Sequence, residues 1–75
     1  MTREDFIRIM NTHVKLIRSE YGLTQDKMSM LLGLSKKTLV EIEKERSSLG
    51  WTGSVALASI FSNSSILINA LGGNV

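Results

Sequence analysis

Residues 23–46 carry two helix-start signals separated by a single glycine, and this pattern constrains the fold more than any other stretch. Thr24 can cap one helix, with Leu23 before it and Met28 four residues after. Ser35 can cap the next, with Leu34 before it and Leu39 four after. In each case a hydroxyl takes an orphan N–H of the first turn while the flanking apolar pair closes over the entry. Gly33 can adopt the left-handed backbone that ends the first helix and turns the chain. Two short helices over about 25–32 and 36–45 follow from these signals. Met28, Leu31 and Leu32 should face inward from the first, Leu39 and Ile42 from the second.

The flanking segments also read as helical. Phe6, Met10, Val14, Ile17 and Tyr21 recur at helical spacing, with Ile9 and Leu16 widening the stripe. Thr2 and Asp5 form a capping-box-like start and Gly22 a stop, so the first helix should cover about 3–21. Residues 47–52 read as an uncharged loop broken by Gly50 and holding Trp51. A fourth helix is expected over about 53–61, and a fifth over about 64–71 with Ser64 as its cap. The run Gly72-Gly73-Asn74 should end it and fray. No segment alternates with the period of a strand. The expectation is one all-α domain over 1–75.

The layout of 23–46 is a helix-turn-helix. Leu23-Thr24-Gln25, Met28, Leu32-Gly33-Leu34-Ser35 and Leu39-Val40-Glu41-Ile42-Glu43 resemble the Cro/phage-repressor class of bacterial regulators, the xenobiotic-response-element-like family. Val14, Ile17 and Arg18 stand where that family keeps a first-helix core pair and an arginine. The close resemblance spans 14–43 and continues more weakly through Leu57, Ala58 and Phe61. It implies a five-helix, lambda-repressor-like DNA-binding domain.

A helix fits the major groove with its N-terminal residues at the base edges. Lys36 and Lys37 open the second helix of the motif, where a lysine can donate to guanine O6 and N7. Thr38 can touch a base or a thymine methyl, and Glu41 can accept from cytosine N4 or orient Lys37 one turn away. The resemblance implies base or phosphate contacts at Gln25, Lys36, Lys37, Thr38 and Glu41, with Gln25 either anchoring a phosphate or bracing the recognition helix. Lys44 and Arg46 can hold the backbone at the far end. Lys15 and Lys27, standing alone, read as ordinary solvated charges.

The resemblance also implies a structural ion pair between Arg18 and Glu43, tying the first helix to the recognition helix. The chain departs from the family at Lys44-Glu45, where a helix-ending glycine is usual. The recognition helix should therefore run one or two residues longer, and Glu45 should repel phosphates.

Composition removes other chemistries. There is no Cys and one His, so disulfides and thiol chemistry are excluded, and a zinc site lacks its usual ligands. His13 has no partner for a triad, so it reads as a half-buried or surface side chain, and no enzyme or cofactor is expected. No signal peptide or membrane span is legible, which makes a cytoplasmic protein the expectation.

All nine Lys/Arg and all seven Asp/Glu lie at or before Arg46, leaving 47–75 without a charged side chain. A small core profits from oligomerisation, and uncharged apolar surface suits a protein contact. Trp51, Ile66, Leu67 and Ala70 are the expected dimer contacts. The leading expectation is a dimeric repressor on double-stranded DNA. The alternatives are an antitoxin whose uncharged half meets a toxin, and a protein-interaction module that keeps the fold without binding DNA.

Overall fold

Hydroxyl side chains begin four of the five helices in the computed structural model, which describes residues 1–72. At α1 (Arg3–Glu20), Thr2 Oγ1 accepts the Asp5 N–H and the Asp5 carboxylate accepts the Thr2 N–H, both at 3.1 Å. Thr24 accepts the Lys27 N–H to open α2 (Gln25–Leu32), and Ser35 accepts that of Thr38 to open α3 (Lys36–Glu43). Ser64 does the same for Leu67 at α5 (Ser65–Ala70). Each bond satisfies a donor that the helix itself leaves unpaired.

The remaining helix, α4 (Gly50–Ile60), starts differently. It begins three residues before the expected Gly53, and Trp51 lies in its first turn rather than in a loop. Leu49 supplies no side-chain cap. Instead Asn11 Oδ1, from α1, accepts the Leu49 N–H at 2.8 Å, and Ser48 Oγ accepts the Gly50 N–H at 3.0 Å. Asn11 Nδ2 in turn donates to Ser48 Oγ at 3.0 Å. The start of α4 is thus a tertiary feature.

Helix ends follow a shared geometry. Gly33 takes φ 71°, while Leu34 N–H bonds Ser29 O at 2.8 Å and Gly33 N–H bonds Met30 O at 3.2 Å. That pair of bonds closes the last turn of α2. At the end of α3 the same pair recurs, from Arg46 to Glu41 at 2.8 Å and from Glu45 to Ile42 at 2.9 Å. Glu45 takes φ 61°, the one non-glycine residue with positive φ among the described residues. α3 therefore stops at Glu43 instead of running to 45. Glu45 assumes the left-handed role that glycine would fill.

The core gathers Met10, Val14 and Ile17 of α1, Met28 and Leu32 of α2, and Leu39 and Ile42 of α3. Leu49, Leu57, Phe61 and Leu67 complete it from the C-terminal half. α1 is the central strut, packing on α3, α4 and α5, while α2 packs on α3 and α4. Gly53 and Ser54 are buried, so α4 presents a small-residue strip to its neighbours.

Several expected inward positions lie outside. Leu16 and Leu31 are about half exposed, because α1 and α2 turn Val14–Ile17 and Met28–Ser29–Leu32 inward. Tyr21 falls beyond the last turn of α1 and packs edge-on against Phe61, with centroids 4.9 Å apart. Leu67, expected at a dimer contact, is 4% exposed and belongs to the chain's own core. Ile66 packs against that core, and Ala70 is half-buried. Gly73 and Asn74, expected to fray, lie outside the described residues.

Candidate nucleic-acid interface

The 3.6-residue period of α3 divides it into two faces. Leu39 and Ile42 are fully buried, which leaves Lys37, Val40, Glu41 and Lys44 as a stripe on the other side, at spacings of three, four and seven. Lys36, Lys37 and Lys44 are exposed; Thr38, Val40 and Glu41 are half-buried. The capped N-terminus presents Lys36 and Lys37 in its first turn, where the helix dipole is positive. Ser35 Oγ also donates to Thr38 Oγ1 at 2.9 Å, which fixes the Thr38 rotamer.

Charge pairing on this face differs from the sequence expectation. Glu41 lies 3.8 Å from Arg46, not against Lys37. The left-handed turn at Glu45 folds Arg46 back over the last turn of α3, where its N–H already bonds Glu41 O. Lys36 Nζ sits 3.7 Å from the Asp26 carboxylate of α2. Lys37 has no carboxylate in salt-bridge range among the described residues. At 3.7 and 3.8 Å between largely exposed side chains, these pairs contribute little to stability.

Behind α3 lies a tight polar node. Arg18 Nε donates to Glu43 Oε2 at 2.7 Å and Arg18 Nη2 to Glu43 Oε1 at 3.1 Å. The remaining Arg18 nitrogen donates to Leu23 O at 2.9 Å, across the turn between α1 and α2. Gln25 Nε2 donates to Glu43 Oε1 at 3.0 Å. Glu43 therefore holds the end of α3 to α1 and to the start of α2. The side chains of Arg18 and Glu43 are only 17% and 4% exposed, so the pair works in a poorly solvated setting. The Gln25 side chain is turned onto this node and braces the end of α3.

A family of helix-turn-helix domains matches residues 11–61, more than half of the chain. The chain belongs to the helix-turn-helix domain family. No curated protein and no solved structure matches it. The matched span holds α2, α3, α4 and the second half of α1, so it contains both the exposed stripe and the Glu43 node.

Three residues of this helix-turn-helix protein matter more than their sequence context indicated. Val40 stands in the exposed stripe, three residues from Lys37, a spacing that was legible. Glu45 stands where the family usually has a helix-ending glycine and takes that glycine's left-handed backbone, whereas Asn11 gave no signal because it acts through a contact 38 positions away. His13 places its ring Nδ1 2.8 Å from Ile9 O in its own helix, an internal contact. Among the described residues no group of acidic or histidine side chains is arranged to hold a metal ion. No helix there is long and apolar enough to cross a membrane.

Proposed function

We propose that this helix-turn-helix protein is a sequence-specific transcriptional regulator, a non-enzymatic dimeric repressor that reads a near-palindromic operator with α3 in the major groove. The observation that carries the reading is the division of α3: one face is locked into the core and onto Arg18, and the other offers a donor-rich, unobstructed stripe. In this reading Lys36 and Lys37 meet guanine edges or the adjoining phosphates, and Thr38 and Val40 meet thymine methyls. Glu41 accepts from cytosine N4, while Lys44 and Arg46 hold the phosphate backbone beyond the groove. Gln25 contributes chiefly by bracing α3. Glu45 opposes the phosphates and keeps the affinity of a single copy modest, which favours binding as a pair.

Selection from random duplex DNA at ~150 mM salt, where condensed counterions suppress non-specific binding, tests this directly. An enriched inverted repeat with half-sites about 34 Å apart is expected, and the Lys36→Ala/Lys37→Ala double variant should lose the enrichment. If nothing is enriched and low-salt binding disappears as salt rises, the regulator reading is wrong.

A further inference from the structure

The N-terminal end of α1 and the exposed side of α4 border an open groove of about 480 Å³. Phe6 and Trp51 meet edge to face in it, with ring centroids 5.7 Å apart. The Arg3 guanidinium lies 4.7 Å from the Trp51 ring centroid, and Val55, Ala58 and Ser59 continue the surface along α4. Trp51 is 45% exposed and Val55 38%, so the two form one continuous apolar ridge beside the groove. Burying this ridge against a partner is favourable.

We infer that this groove receives a second copy of the same chain and forms the two-fold seam of the dimer; the inference rests on the dimeric reading above. Charge selects the occupant. In a two-fold contact, residues near the axis meet their own counterparts, so any charge there faces its like. The α4 side of the groove has no charged side chain, and Arg3, the one charged side chain lining it, is laid against Trp51. Of the other exposed apolar residues, Ile60 on α4 also stands in uncharged sequence but lies outside the groove, whereas Met30, Leu31 and Leu16 have charged neighbours. Met30 and Leu31 follow Asp26 and Lys27 on α2, where Asp26 pairs with Lys36 of the DNA-reading face. Leu16 sits next to Lys15 and one turn from Glu20.

In a two-fold contact the exposed Trp51 of each copy is the large side chain available to fill the hollow of the other. By contrast, α5 has little left to offer. Leu67 is in the core and Ile66 packs against it.

Sedimentation equilibrium combined with Trp51 emission tests the seam, because Trp51 is the single tryptophan of the chain. The wild type should dimerise with a blue shift that follows the dimer fraction. Val55→Glu should weaken association at least about tenfold through like-charge juxtaposition, and Ser59→Glu should act in the same direction. Mixing Val55→Glu with Val55→Lys should restore a heterodimer, a result that loss of folding cannot produce. Ala70→Glu on α5 should remain dimeric. A dimer that survives Val55→Glu, or one broken by Ala70→Glu alone, overturns the groove while the dimeric regulator stands. A wild type that stays monomeric both free and on operator DNA overturns the dimer itself.

Discussion

Arg18 and Glu43, separated by 25 positions, meet in a two-point fork of 2.7 and 3.1 Å that fixes α3 against α1. Glu43 has almost no access to water, so its carboxylate depends on Arg18 and Gln25 for partners. Removing one partner strands a charge, which costs more than the intact pair contributes. Arg18→Ala should therefore lower the unfolding free energy by about 3 kcal/mol. The Arg18→Met/Glu43→Leu double variant should lose clearly less than the Arg18→Met and Glu43→Leu single losses added together. A urea-denaturation double-mutant cycle reads this coupling, and additive losses would show that the fork carries no special weight.

Glu45→Gly should raise stability by about 1 kcal/mol, since a non-glycine residue is strained in the left-handed region that Glu45 occupies at φ 61°. The same change removes a negative charge beside the recognition helix, so DNA affinity should rise too. Thermal unfolding and a binding titration measure the two effects separately. Unchanged stability would mean that the Glu45 turn is relaxed.

Ser54 is fully buried in α4 and its Oγ has no hydrogen-bond partner among the described residues. A buried hydroxyl without a partner forfeits the bonds it had in water. Ser54→Ala should accordingly be stabilising by about 1 kcal/mol, because it removes that loss and leaves the helix with its best former. A destabilised Ser54→Ala protein in chemical denaturation would contradict the orphaned hydroxyl.

Glu20 closes α1 and caps the start of α5. Its carboxylate accepts from the Ser64 hydroxyl, from the Ser65 hydroxyl at 2.6 Å and from the Ser65 N–H at 3.0 Å. These bonds, that of Ser64 first, hold its pKa below the ordinary 4.5. The unfolded chain then takes up the proton at a higher pH than the folded one. The stabilisation is complete above pH 4.5 and is lost as pH falls through the lowered folded value. Asp5 has the same sign, held below its ordinary 3.8 by the Thr2 backbone bond and then by Arg8. Tm should fall on acidification through this range, and Glu20→Gln should flatten the fall. A Glu20→Gln profile parallel to the wild type would show that other carboxylates control it.

The helix-turn-helix was legible because its determinants are local. Thr24 and Ser35 act on N–H groups three residues away, and Gly33 turns the chain through its own φ. The candidate DNA-reading stripe was partly legible for the same reason, since helical period alone separates Lys37 and Glu41 from Leu39 and Ile42. Pairing of the charges was not. Glu41 turns to Arg46 because Glu45 adopts the left-handed turn of the family's usual glycine, where the side chain had suggested a longer helix instead.

What the sequence by itself determined was the number of helices, four of their caps and the motif between them, all of which rest on interactions spanning three to five residues. The tertiary structure alone decided that α4 starts at Gly50 under a cap from Asn11, that Leu67 is spent in the core, and that Leu16, Leu31 and Tyr21 are not. Those outcomes depend on how α1 lies against α4 and α5. Local spacing defines a helical face, but only packing decides which half of a broad apolar stripe is covered.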